Sequence, residues 1–345
     1  MNAIDTTFSR RKGTIDMAHG GGGRAMTELI SGLFQKHLGN PILAQGNDAA
    51  LLEAPQGRLV MSTDGHVISP IFFPGGDIGS LSVHGTLNDV AMAGAKPLYL
   101  TAGFILEEGY PLADLERIVV SMAHAAREAG VPIVTGDTKV VEKGKGDGVF
   151  ITTTGLGVVP EGVHVSVERA RPGQAILLSG SIGDHGVAIL SKRENLEFET
   201  EIRSDSAALH TLVADMVATA PGIAVLRDPT RGGLAATLNE IARAAKVGMH
   251  LDETAIPVKP DVAAACELLG LDPLYVANEG KLICLCEPDD AEPLLAAMKA
   301  HPLGKDAARI GTLTKDDAHL VEMETGIGGL RVVDWLSGEQ LPRIC

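Results

Sequence analysis

The chain has 345 residues, enough for two domains of ordinary size, each with its own core. Its 45% apolar content is globular, and no apolar run approaches the length of a membrane span. With 29 basic and 44 acidic residues the net charge is −15, which argues against nucleic acid and anionic membrane as partners and suits carboxylates clustered around Mg²⁺.

Four cysteines without a secretory segment point to a reducing compartment, the cytoplasm. Ser9-Arg10-Arg11-Lys12 looks superficially like a twin-arginine export signal, but Gly13 to Gly23 follows it instead of an apolar region. His19-Gly20-Gly21-Gly22-Gly23-Arg24 is costly to hold in regular structure. It is either a plain linker or a mobile loop whose amides wrap an anion. It lacks the Gly-Lys-Ser/Thr ending of a P-loop. Thr27 to Leu38 then reads as a helix closed by Gly39.

Carboxylates follow at the ends of apolar runs. Asn47-Asp48 leads into Leu51-Leu52, and the strand Arg58 to Thr63 delivers Asp64 at its tip. Over Ser80 to Gly94 the residues Val83, Leu87, Val90 and Ala91 keep helical spacing, which places Asn88 and Asp89 off the apolar stripe and free to coordinate. A helix over Leu112 to Ala129 ends at Gly130, and a short strand, Val131 to Thr135, breaks into Gly136-Asp137-Thr138-Lys139. Asp48, Asp64, Asp89 and Asp137 are either scattered surface acids or a converging set. If they converge they need cations, and Mg²⁺ shared with phosphate oxygens is the natural solution.

Val149 to Val159 reads as a long strand, and Ala170-Arg171-Pro172-Gly173 as the seam between domains. Beyond it, strands and helices alternate: a strand over Ala175 to Ser179, a helix opened by Gly183-Asp184-His185-Gly186, a charged loop from Arg193 to Asp205, and a helix over Ala207 to Ala218. Arg227-Asp228-Pro229-Thr230-Arg231-Gly232-Gly233 is a dense turn before another helix, whose first amides can hold phosphate. Asn278-Glu279-Gly280 puts Glu279 at the entrance of the strand Lys281 to Cys286. Cys284 and Cys286 share a face and read as buried core thiols, as does Cys266 in its alanine-rich helical stretch. A helix over Asp289 to His301 and a strand over Ala308 to Leu313 lead to Trp335. The chain ends Leu341-Pro342-Arg343-Ile344-Cys345 after the polar hinge Ser337-Gly338-Glu339-Gln340. That ending is either a frayed terminus or an arm carrying a nucleophile.

Taken together, the glycine-rich loop at 19–23, Asn88-Asp89-Val90 with Gly94-Ala95-Lys96-Pro97, Gly136-Asp137-Thr138-Lys139, Gly183-Asp184-His185-Gly186, Asp228-Pro229-Thr230-Arg231-Gly232-Gly233, Asn278-Glu279-Gly280 and Pro342-Arg343-Ile344-Cys345 resemble the HypE family. These are hydrogenase maturation proteins of the PurM-like ATP-binding superfamily. The Asn-Asp and Gly-Asp elements belong to the whole superfamily, and the Pro-Arg-Ile-Cys ending singles out this member.

The resemblance implies an α/β (α+β) PurM-like protein of two domains. Residues 1–165 would bind ATP and dimerise by pairing strands into a barrel, 166–336 would form the second domain, and 337–345 a flexible tail. It further implies ATP and Mg²⁺ as cofactors, with Asp48, Asp64, Asp89 and Asp137 as metal positions. Asn88, Gly20, Gly21, Gly22, Gly23 and Arg231 join them in holding nucleotide. Cys345 would receive a carbamoyl group from the carbamoyl transferase HypF. ATP-dependent dehydration would then give a thiocyanate, and the cyanide would pass to iron on the HypC–HypD complex for [NiFe]-hydrogenase.

Phosphorylating the amide oxygen turns a poor leaving group into phosphate, with Mg²⁺ neutralising charge on the transferred group. Lys139 would stabilise developing charge and Glu279 would take the nitrogen proton. The alternative for Lys139 and Glu279 is an ordinary inter-domain ion pair. His185 is either catalytic or a brace for its glycine-flanked turn, and Arg231 either contacts phosphate or braces its loop.

Two rivals remain. A selenophosphate synthetase-like enzyme would want a cysteine or selenocysteine by the glycine loop, where Met17-Ala18-His19 stand, and a purine enzyme would have no use for the tail thiol. A non-catalytic carrier would present Cys345 without turning over ATP.

Overall fold

The computed structural model describes residues 13–196, 201–336 and 343–345. The arginine pair at 10–11, the hinge at 337–340 and Pro342 lie outside the described residues. A helical stretch over 24–38 runs from α1 (Arg24–Leu29) through a π-helical turn (Ile30–Gln35) into α2 (Lys36–Leu38). Then come β1 (Arg58–His66), the short strands β2 (Phe72–Phe73) and β3 (Gly76–Asp77), and α3 (Ile78–Met92). β4 (Lys96–Glu107), α4 (Leu112–Ala129), β5 (Ile133–Val141) and β6 (Val149–Val159) complete the first half.

β1, β6, β4 and β5 form one sheet in that order, with β4 and β5 parallel and the other pairs antiparallel. Asp77 starts α3 by accepting the amides of Gly79 (2.7 Å) and Ser80 (3.2 Å), a capping box. α4 buries a stripe of Leu112, Leu115, Ile118, Val119 and Met122, and ends where Gly130 takes the left-handed φ of 68°. By contrast α3 is buried almost all round, because the sheet and the second half both cover it.

The second half holds β7 (Ala175–Leu178), α5 (Asp184–Arg193), α6 (His210–Thr219), β8 (Val225–Arg227), α7 (Gly233–Ala245), β9 (Gly248–Asp252) and α8 (Pro260–Leu269). It continues through β10 (Ile283–Cys286), α9 (Pro288–Ala300), β11 (Ala308–Thr314) and the hairpin β12 (Val321–Glu324) and β13 (Leu330–Val332). These strands form a seven-stranded sheet in the order β13-β12-β9-β11-β7-β10-β8. β7 and β10 are buried on both faces, so they read as apolar runs, and Cys284, Cys286 and Cys266 are buried free thiols as expected. β9, β12 and β13 are short and partly charged, and their sequence carries no strand signal.

Three local expectations are corrected. Asp64 lies inside β1, which runs on to His66, rather than at a strand tip. Gly136-Asp137-Thr138-Lys139 is not a break but the middle of β5, paired with Ala102 to Ile105 of β4. Glycine and aspartate there look like a turn, yet Gly136 is needed because a Cβ would run into the Ala102 carbonyl. The helix expected from Ala207 starts only at His210, because the backbone of Ala207 and Leu209 is hydrogen-bonded to Glu279 and Asn88 instead.

Candidate active site

One cavity gathers residues from every part of the chain. It is lined by Asp64, Gly65 and His66 of β1, Gly85 and Asp89 of α3, Asp228, Thr230 and Arg231 of the turn before α7, Glu279 and the terminal Cys345. Gly85 lets the first two elements meet. A Cβ there would sit 3.2 Å from His66 Cε1, 3.5 Å from Asp64 Oδ2 and 3.9 Å from Glu279 Oε2. The turn depends on Gly233 (φ 63°), where a Cβ would stand 2.6 Å from the Leu274 carbonyl oxygen.

The end of the chain is docked in this cavity, not frayed. Ile344 bridges antiparallel to Ile68 and is 4% exposed. The Val67 amide donates to the Cys345 backbone oxygen at 2.9 Å, and the Ser69 amide to the Arg343 carbonyl at 3.2 Å. Arg193 donates to the same Arg343 carbonyl at 3.0 Å, and His185 Nε2 donates to the Ile344 carbonyl at 2.8 Å. Burial and then the nearby Glu279 carboxyl push the Cys345 thiol up to about 12, so it rests protonated.

Four carboxyl groups converge there: Asp64, Asp89, Asp228 and Glu279. Burial raises all four above their ordinary values. Asp228 rises to about 7, helped by Asp89, while Glu279 is pushed well up by burial and then by Asp228 and Asp205. Among the described residues Arg231 is the one cation lining the cavity, and it offsets part of the rise that burial gives Asp64. The cluster is short of positive charge. Among the described residues no three His, Cys, Asp or Glu side chains are placed to hold a metal by themselves. Mg²⁺ fits this set nonetheless, since it is commonly held by one or two carboxylates and completed by phosphate oxygens and water.

A second cleft continues from the first. It shares Asp89, Asp228, Thr230 and Arg231 and adds Ser62, Arg227 and Glu240. Ser62 Oγ donates to Asp89 Oδ2 at 2.7 Å. Beneath the cavity floor Thr86 and His66 both reach the Thr153 hydroxyl, at 2.6 and 3.1 Å, while that hydroxyl donates to the Ser82 carbonyl. Burial lowers His66 to about 4, so this histidine is neutral.

The structure thus unites Asp64, Asp89, Arg231, Glu279 and Cys345 and leaves other candidates elsewhere. Asp48 is exposed on a loop. Asp137 pairs with Lys139 at 2.8 Å, both well exposed. The register explains their absence from the cavity. Gly103 faces both Asp137 and Thr152, and Thr152 faces Gly65, so Asp137 and Lys139 share the side of Gly65 and Thr63. Asp64 and His66 point to the other side, and the sheet stands between. Lys139 therefore makes no ion pair with Glu279. Gly20 packs on Val140, and Gly21, Gly22 and Gly23 are exposed.

Asn88 is corrected most clearly. It is 1% exposed, and its amide donates to the carbonyls of Ala207 (3.0 Å) and Glu279 (3.2 Å) while accepting the Leu209 amide (2.8 Å). It clamps the two halves together and is not free to coordinate. His185 is fully buried, burial lowers it, and it hydrogen-bonds the Ile344 carbonyl of the tail. Sequence reasoning missed Asp228 as a site residue, although its turn motif was in plain view. His66 and Asp205 carried no signal.

Residues 46–159 match the family described as AIR synthase related protein, N-terminal domain, and residues 171–323 its C-terminal domain. A carbamoyl dehydratase HypE of Cupriavidus necator is 71% identical over 336 residues, covering 97% of this chain and 96% of that protein. A crystal structure of hydrogenase maturation protein HypE in complex with ATP superposes with a TM-score of 0.92 at 55% identity, over 95% of this chain and 99% of that one. A crystal structure of a HypE–HypF complex is similar at 50% identity and a TM-score of 0.79, over 89% and 99% of the chains.

Proposed function

This chain belongs to the HypE family of carbamoyl dehydratases, and on that premise we propose that it dehydrates its own carbamoylated Cys345 to a thiocyanate at the expense of ATP. The observation that carries this reading is the position of Cys345, the last residue, among Glu279, Arg231 and three aspartates in one cavity. A carrier that only presents its thiol has no need of that surround, and a selenophosphate synthetase has no need of a docked terminal cysteine.

ATP, when bound, supplies the phosphoryl group that converts the carboxamide oxygen into a leaving phosphate. The residues do the rest. The docked tail fixes the carboxamide beside the acids, which removes much of its motional freedom before reaction. Arg231, which lines the same cavity as Cys345, would neutralise charge on the transferred group. Asp64, Asp89 and Asp228 would share Mg²⁺ with the phosphates. The carboxamide nitrogen gives up two protons, one as its oxygen takes the phosphoryl group and one as the C–O bond to phosphate breaks; Glu279 accepts the second, which leaves a C≡N triple bond on sulfur and frees phosphate. Burial raises the affinity of Glu279 for protons, which suits a group that must take one from nitrogen. Overall one water is lost from the carboxamide and appears in the phosphate released from ATP.

Lys139, Asp137 and the glycine loop enter this reading across a homodimer formed through the first sheet. The side of that sheet carrying Lys139 also exposes Leu59, Met61 and Ile105, a row of large apolar side chains that a second copy would cover. HypF is proposed as the carbamoyl donor, on the strength of the relative crystallised with it, and the HypC–HypD complex as the cyanide acceptor. We retain the division 1–165, 166–336 and 337–345. Among the described residues no helix is long and apolar enough to cross a membrane.

Intact-protein mass tests the proposal. Incubation with HypF and its substrates should add one carbamoyl group at Cys345, and Mg-ATP should then remove one water. Cys345→Ala should abolish both steps with nucleotide binding intact. A carbamoyl group that Mg-ATP never dehydrates would make the protein a carrier.

A further inference from the structure

Glu279 does not hold its own place. Its amide donates to Asp205 Oδ1 at 3.1 Å, and the next amide, of Gly280, donates to Asp205 Oδ2 at 3.2 Å. Lys281 Nζ reaches the same Oδ2 at 3.0 Å. The chain over 279–281 therefore wraps around one carboxylate, tightly enough that a Cβ at Gly280 would run into the Asp205 carbonyl. Asp205 and Lys281 are both deeply buried, with side chains 3% and 12% exposed. Burial alone would raise the Asp205 carboxyl, but Lys281 and the amide donors hold it below its ordinary value, so it is ionised.

The residues beside Asp205 tie the same strap to the rest of the site. The Ala207 amide and the Asn88 side chain both donate to the Glu279 carbonyl. Ser204 Oγ pairs with His185 Nδ1 at 2.8 Å, and the other nitrogen of that ring carries the Ile344 carbonyl of the tail. Ser206 Oγ meets His84 Nδ1 at 2.9 Å. One extended strap, 204–207, thus touches Glu279 on one side and the support of Cys345 on the other. A buried ion pair adds little to stability compared with apolar packing. Its use here is directional.

We propose that Asp205, neutralised by Lys281, is the positioning residue for Glu279, setting the place of its carboxyl relative to the Cys345 carboxamide. The inference rests on the reading of Glu279 as the base. The groups around that carboxyl come from every neighbouring element: Asp64 and His66 of β1, Asp89 of α3, Asp228 and Arg231 of the turn, and the Cys345 thiol of the tail. Behind it stand Asp205, Lys281 and His185, and Asp205 is among the charges that raise it, after burial and Asp228.

The test uses the full-length protein, carbamoylated and followed by single-turnover dehydration across pH. Asp205→Asn should be carbamoylated normally and keep its KM for ATP, yet dehydrate about a hundredfold more slowly, the cost of a displaced base. Its rate should also rise at lower pH than in wild type, because a negative charge has left the neighbourhood of Glu279. Lys281→Met should move the same limb to higher pH, because a positive charge has left. A structural role alone gives slower rates without opposed shifts. If Asp205→Asn fails to fold, Lys281→Met decides, and a wild-type rate and profile in that variant overturns the proposal. Glu279→Gln separates the two readings. Normal dehydration by Glu279→Gln sinks the base reading. An inactive Glu279→Gln beside a wild-type Asp205→Asn sinks the positioning role alone.

Discussion

The Ile344 carbonyl accepts a hydrogen bond from His185 Nε2 at 2.8 Å, across 159 residues of sequence. A carbonyl only accepts, so this nitrogen carries the proton and Nδ1 takes the Ser204 hydroxyl, the neutral tautomer that a fully buried ring favours. One side chain on α5 thereby joins the strand bridge and the Val67 and Ser69 amides in holding the last residue of the chain in the cavity.

That relationship sets the reactivity of Cys345. The docked thiol titrates at about 12, so release of the tail raises its thiolate fraction near pH 8 by roughly a thousandfold. His185→Ala removes a buried hydrogen bond worth on the order of 1 kcal/mol, enough to increase the released population about fivefold. Alkylation of Cys345 by iodoacetamide should accelerate by about that factor. An unchanged rate would show that the tail is held by Ile344 packing and strand pairing alone.

Gly85→Ala should separate stability from activity. Alanine in a helix interior is favoured over glycine by about 1 kcal/mol, so the fold should tolerate it. Its Cβ, however, would fill the space between His66, Asp64 and Glu279. Thermal unfolding should be unchanged or higher while dehydration falls by an order of magnitude or more. Equal loss of both would mean that Gly85 serves packing only.

The acid cluster makes stability and ligand binding depend on pH with a definite sign. Asp228 rises from 3.8 to about 7 in the folded protein, so its contribution to stability is complete below 3.8 and is lost as pH rises through 7. Near pH 8 the ligand-free protein should gain on the order of a few kcal/mol from Asp228→Asn, with no gain at pH 4. Mg-ATP should bind wild type with proton release near pH 7, and Asp228→Asn weakly and without it. Calorimetry in buffers of different ionisation enthalpy reads this directly, and binding without proton uptake or release in wild type would remove Asp228 from the metal site.

The opposite side of the first sheet offers a test by mixing. Lys139→Ala and Glu279→Gln should each be inactive, but a mixed dimer would contain one site with both groups intact. Random pairing should restore roughly a quarter of wild-type dehydration. Failure to recover any activity would return Lys139 to the role of an exposed partner of Asp137.

Much of the local structure was legible from periodicity and punctuation. α4 ends at Gly130 and β6 spans 149–159 as read, because each buries one regular pattern and stops at a residue suited to stopping it. The motifs and the terminal Cys345 also led to the right family. The errors lay where a residue's environment comes from distant chain. Asn88 looked free because its helix shows a polar position there, but the second half of the protein covers that side. Asp137 looked like a partner of Asp64 because both are aspartates beside apolar runs.

By itself, the sequence determined most of the elements, the family and the chemical types assembled for the reaction, since spacing and residue identity are local properties. Only the tertiary structure decided which acids meet, that the tail rests inside, and that Asp205 underlies Glu279. Strand register assigns each side chain to one side of a sheet, and contacts across more than 70 residues determine what lies opposite it. Neither is written in the neighbourhood of any one residue.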